Sequence, residues 1–181
     1  MRTTGKIKIS KELTETSMYL DKEEVKTWFA ETIYEGSILI ELVIDQIKEE
    51  VLFITSCSPE PSHNYQYRFR KAIFHTIQQV QLGSYLHKFF THDVAQERIE
   101  YKCRRESGTY VVESIQIKKY PSYFTMLLRF GDSDSSLTFS FLTCATQERF
   151  GVYQQKKGKV QILDLLTKQE ITFSNPFEKE K

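Results

Sequence analysis

The sequence predicts an α+β domain: an antiparallel β meander of about six strands over residues 97–173, packed against two or three amphipathic helices from the first half. Three observations carry this. The second half breaks at near-regular intervals into short segments rich in Val, Ile, Phe and Tyr with period-two alternation. Residues 21–35 and 65–90 place apolar side chains at helical spacing. Helix and strand signals are also segregated along the chain, which disfavours an alternating βαβ order.

Residues 1–20 read as a polar arm with one short strand at Lys6–Ile9. Asp21 then stands as an N-cap with Glu24 three positions on, a capping-box pattern. Val25, Trp28, Phe29 and Ile33 form one apolar stripe, and Gly36 stops the element. Ile38–Ile44 and Val51–Thr55 fit either a hairpin or one helix from Ser37 to Phe53, and their β-branched content favours strands. Ser56–Ser62, with two prolines, is a loop. Over Tyr65–Phe90 the spacing of Phe69, Ile73, Ile77 and Val80 predicts a second helix. Gly83 breaks it, and Ser84 caps a short third one.

The meander segments follow. Ile99–Cys103 leads to a break at Arg105–Gly108, and Tyr110–Lys118 ends at Tyr120-Pro121-Ser122. Tyr123–Phe130 stops at the Gly131–Ser136 loop, and Leu137–Thr143 stops near Ala145-Thr146. Phe150–Gln154 turns at Lys156–Gly158 into Val160–Leu165. Domain organisation is then an arm (1–20), one α+β domain (21–174) and a charged tail (175–181).

Forty per cent apolar residues, with 13 Phe and 10 Tyr, support a folded core rather than a disordered chain. Net charge is only +1, but it is unevenly placed. Residues 1–60 hold 7 basic against 12 acidic side chains, residues 61–130 hold 11 against 5, and residues 131–181 hold 7 of each. Cys57, Cys103 and Cys144 are odd in number and lack zinc spacing. With no apolar leader in the first ten residues, the expected location is cytoplasmic or nuclear rather than secreted. No apolar run is long enough to span a bilayer.

Catalytic and metal signatures are missing. His63, His75, His87 and His92 share no ligand spacing, and His87 and His92 would diverge on a helix. Counted as a calcium loop from Asp132, the sixth and twelfth places hold Leu137 and Thr143, not Gly and Glu. There is no P-loop, nucleophile elbow or dinucleotide fingerprint. No catalytic residue, metal or cofactor is therefore assigned.

The basic middle is the main functional lead. Arg68, Arg70, Lys71, Arg98, Lys102, Arg104, Arg105, Lys118 and Lys119, interleaved with tyrosines, would suit a polyanion or an anionic membrane surface if they share a face. The sequence thus predicts a non-enzymatic assembly or adaptor protein. Its expected partner is a protein or a second copy of itself, with nucleic acid and anionic membranes as further partners. The alternative is a ligand-binding barrel or enzyme with a pocket lined by Phe124, Met126, Leu128, Phe139 and Phe141.

The order of elements, an acidic lead-in followed by two amphipathic helices and a strand-rich half, is similar to that of viral matrix proteins of the rhabdovirus kind. The likeness covers element order alone. No residue motif matches, a proline-rich late-domain sequence included, and no site is carried over.

Overall fold

Two facing antiparallel sheets replace the expected α+β arrangement. The structure, a computed structural model, describes residues 16–20, 25, 36–57, 67–83, 90–103 and 111–177, with the backbone alone at 16–20, 57 and 132–135. Its strands are β1 (Thr16–Leu20), β2 (Ile38–Asp45), β3 (Glu50–Cys57), β4 (Tyr67–His75), β5 (Gln78–Leu82) and β6 (Thr91–Asp93). They continue with β7 (Arg98–Lys102), β8 (Val112–Lys119), β9 (Phe124–Phe130), β10 (Asp132–Phe141), β11 (Thr143–Lys156) and β12 (Lys159–Asp164). The larger sheet runs β1-β11-β4-β3-β2-β7-β6, with β12 also on β11, and the smaller runs β5-β10-β9-β8.

The helix expected over 65–90 is corrected to strands β4 and β5, with 84–89 outside the described residues. The error has a physical cause. Phe69, Ile73 and Ile77 are four apart, and a spacing of four keeps residues on one face of a helix and of a strand alike. What separates the two is the complementary set: Ala72 and Phe74 are also buried, on the opposite face. The helix expected over 21–35 lies outside the described residues except for Val25, which is buried in the core. Without the 65–90 helix, the element order that resembled viral matrix proteins no longer holds.

Residues 37–55 are the hairpin β2–β3, paired from Ile38↔Ser56 to Asp45↔Glu50. Both strands are buried on both faces, so they read as continuous apolar runs rather than as an alternation. The expected break at Ala145-Thr146 is corrected as well. The chain turns at Leu142, and β11 runs uninterrupted for 14 residues.

The core between the sheets takes Leu39, Leu42, Ile44, Val51, Phe53 and Phe74 from the larger sheet. Phe124, Met126, Leu128, Phe130, Leu137 and Phe139 face them from the smaller. Phe74 meets Phe139 and Phe141 edge-on at 5.1 and 4.9 Å between ring centroids, and Phe124 stacks on Phe141 at 5.3 Å. These side chains pack together as one hydrophobic core. Cys144 is buried among them, and burial pushes its thiol pKa up, so it behaves as a small hydrophobe.

A second apolar cluster covers the outer face of the larger sheet. Ile40, Ile54 and Phe69 pack there against Ile171, with Phe173 and Phe177 beside them. Gly151 permits this close packing, since a Cβ there would lie 2.5 Å from the Ile162 Cγ2. Arg149 and Asp164, both buried, tie the covering segment down. The Arg149 Nε donates to Asp164 Oδ2 at 2.7 Å, and its Nη1 donates to the Pro176 carbonyl at 2.7 Å. Asp164 Oδ1 accepts from the backbone N–H groups of Leu166 and Thr167, which closes the turn after β12.

Removing one partner of such a pair leaves a buried charge uncompensated. Asp164→Ala is therefore expected to lower the unfolding free energy by about 3–5 kcal/mol in urea titration. A loss below about 1 kcal/mol, the range of an exposed pair, would show that the Arg149 clamp is not buried as described.

Candidate functional site

Two long stretches of chain cross together between the sheets. β4 pairs with β11 in the larger sheet, and their continuations β5 and β10 pair in the smaller. The crossings are short: Thr76 and Ile77 between β4 and β5, and Leu142 alone between β10 and β11. They are fastened to their neighbours. The Leu142 N–H donates to the His75 carbonyl at 3.1 Å, and the Ile77 N–H donates to the Glu49 carbonyl at 3.0 Å.

A sharp turn of this kind strains the backbone and exposes side chains. Thr76 has φ 56° and Gln79 has φ 54°, left-handed values that are uncommon for any non-glycine residue and anomalous for β-branched Thr. Leu142 is left 42% exposed. The third wall is the β8–β9 turn, where the Tyr120 N–H donates to the Tyr123 carbonyl at 2.8 Å across Pro121-Ser122. That pairing brings the two rings face to face, 4.8 Å apart and 14° from parallel.

Between these walls lies an open groove of about 410 Å³. It is lined by Thr76, Gln78, Gln79, Ser122, Tyr123, Ser140, Phe141 and Leu142. The volume is within the range of small-molecule sites, roughly 300–1,000 Å³. None of the eight lining residues is charged. The Ser140 hydroxyl donates to the Gln78 carbonyl at 3.0 Å, and Phe141 joins the groove to the aromatic core beneath.

The turns β2–β3 (46–49) and β6–β7 (94–97) emerge at the same end of the sandwich and are bonded to each other, the Gln46 N–H donating to the Glu97 carbonyl. Of six described non-glycine residues with positive φ, four are here: Glu49, Thr76, Gln79 and Glu97. Of nine exposed large apolar side chains among the described residues, five are here: Ile47, Val94, Tyr120, Tyr123 and Leu142. Strained backbone and solvent-facing apolar groups thus concentrate at one end, which marks it as the candidate binding face.

The basic residues singled out in the sequence do not gather on one surface. Arg68 and Arg70 point into the interior face of β4. There Glu148 Oε1 accepts from Arg68 Nη2 at 2.6 Å and from Arg70 Nε at 3.3 Å. Arg70 and Glu148 are 4% and 2% exposed, so this group is structural. The Arg68 guanidinium also lies 5.7 Å from the centre of the Phe150 ring. Lys71 projects from the opposite face of β4, its Nζ 5.8 Å from the centre of the Phe177 ring. Arg98 pairs with Glu100 and Asp45, and Lys102 Nζ donates to Asn175 Oδ1 at 2.5 Å. Arg104 and Arg105 lie outside the described residues. Lys118 and Lys119 are exposed at the end of β8, directly before Tyr120, and so stand on the rim of the binding face.

Among the described residues no group of three His, Cys, Asp or Glu side chains could hold a metal ion. His63 and His87 lie outside them, His92 is on β6, and His75 Nδ1 is 3.3 Å from Glu50 Oε1. No helix among the described residues is long and apolar enough to cross a membrane. No family model, no curated protein and no solved structure matches the chain.

The groove residues Gln78, Gln79, Ser140 and Leu142 escape sequence reasoning because they are neutral and belong to no motif. The sequence signals that fall here are the Tyr120-Pro121-Ser122 break and Phe141, named for a pocket lining. The two kinds of basic residue should separate cleanly in stability. Arg70→Ala, which removes one of the two guanidinium groups paired with buried Glu148, is expected to cost about 1.5–3 kcal/mol in urea unfolding. Lys118→Ala should stay within about 0.5 kcal/mol of the parent. Equal, small effects would contradict the interior placement of Arg70.

Proposed function

We propose that this chain is a non-enzymatic adaptor that holds a macromolecular partner against the loop end of its sandwich. The observation that carries this is that Ile47, Val94, Tyr120, Tyr123 and Leu142 are all exposed at the end of the sandwich that holds the strained bend and its groove. Exposed aromatic and aliphatic side chains on rigid turns are the usual anchors of a protein contact. Of the basic residues, Lys118 and Lys119 serve as the charged rim, which favours partners with acidic edges and makes association salt-sensitive. The packed core and the neutral lining of the groove, in which no carboxylate, imidazole or thiol stands beside the hydroxyls, support binding over catalysis.

A photo-crosslinking side chain placed at Leu142 of the full chain tests this in extract from the source cells, with the same probe at Val160 as the comparison. Val160 is 56% exposed and sits next to the distant β11–β12 turn. A discrete adduct is expected from Leu142 and not from Val160, and it should vanish in the Ile47→Ser/Tyr123→Ala background. Adducts of equal yield from both positions, or none from Leu142, would overturn the assignment.

A further inference from the structure

We infer that the groove is a subsite for a neutral saccharide, presented by the partner that the loop end engages. This rests on the assignment of that end as the binding face and specifies what enters its groove. The chemistry of the lining carries it. Thr76, Gln78, Gln79, Ser122, Tyr123 and Ser140 all bear groups that both donate and accept hydrogen bonds, and none is ionised.

Other ligand classes match this lining poorly. A phosphate-bearing ligand, nucleic acid or anionic headgroup would need cations in the wall, and no Lys or Arg lines it. A purely apolar ligand would strand the amides and hydroxyls without partners. A proline-rich peptide offers mainly acceptors and would leave half of the lining's capacity unused. Sugar hydroxyls donate and accept at once, so each can pair with any of the six polar side chains. The apolar C–H face of a pyranose ring needs a flat aromatic surface, and Tyr123 supplies it. Tyr120, stacked 4.8 Å away, holds the Tyr123 ring in orientation before any ligand arrives.

The backbone strain fits the same role. Glycine would adopt the left-handed geometry at 79 freely, yet the chain carries Gln there and so keeps an amide at the groove wall. Gln79 thus becomes a clean test, because Gln79→Gly removes the amide while relieving rather than imposing strain.

The experiment is a printed array of neutral oligosaccharides of glucose, mannose, galactose and xylose, probed with the full chain and followed by calorimetric titration of the best binder. Tyr123→Ala is expected to weaken that binder about tenfold or more, and Tyr123→Phe, which keeps the ring, only about threefold. Gln79→Gly should weaken it several-fold while the protein stays as stable as the parent. Val160→Ala, beside the distant β11–β12 turn, should leave the affinity unchanged. Failure of every neutral saccharide to bind, or binding indifferent to Tyr123→Ala and Gln79→Gly, would overturn the inference. Preferential capture of acidic glycans that is abolished by Lys118→Ala would overturn it too. If the saccharides fail while the Leu142 crosslink persists, the adaptor role stands and only the saccharide subsite falls.

Discussion

The paired crossing of β4–β5 and β10–β11 is the constraint on which the rest of this structure depends. Because the two stretches are hydrogen-bonded partners on both sides of the bend, they must turn at the same place. The turn has to be abrupt, since one or two residues span the step between layers. Three results follow from that geometry. The aromatic cluster of Phe74, Phe124, Phe139 and Phe141 fills the angle beneath the bend. Left-handed conformations are forced at Thr76 and Gln79, and a groove opens above them.

Charge is used elsewhere. Arg68, Arg70 and Glu148 occupy the interior of β4 and β11 toward the end away from the bend, where the face changes from Phe74 opposite Cys144, through Ala72 opposite Thr146, to Arg70 opposite Glu148. On the outer face, Arg149 and Asp164 fasten the segment that covers Ile40, Ile54 and Phe69. Buried pairs like these add little net stability but penalise alternative packings, because any misfit leaves a charge without its partner. The buried ion pairs thus lie away from the bend, and the groove at the bend has an uncharged lining.

Much of the second half was legible because its strands bury one face and show it as alternation, as Phe124, Met126, Leu128 and Phe130 do. The first half hid its strands for two separate reasons. In β2 and β3 both faces are covered, so alternation vanishes into a continuous apolar run. In β4 a spacing of four satisfies helix and strand equally. The binding face was the least legible part. Arginine and lysine attract notice in a sequence, yet Arg70 is buried and Arg68 half-buried against Glu148, and Lys118 and Lys119 stand at the end of β8 outside the groove lining. Gln79 and Thr76 earn significance only from a left-handed φ, which residue type does not announce.

Native-state amide hydrogen exchange tests most directly whether the bend is a rigid, built platform and not a loose connection. The N–H groups of Ile77 and Leu142, bonded to the carbonyls of Glu49 and His75, should exchange as slowly as amides within β4 and β11. Exchange at both positions as fast as at exposed Ile47 and Val94 would mean that the crossing opens freely, and would contradict a preformed groove.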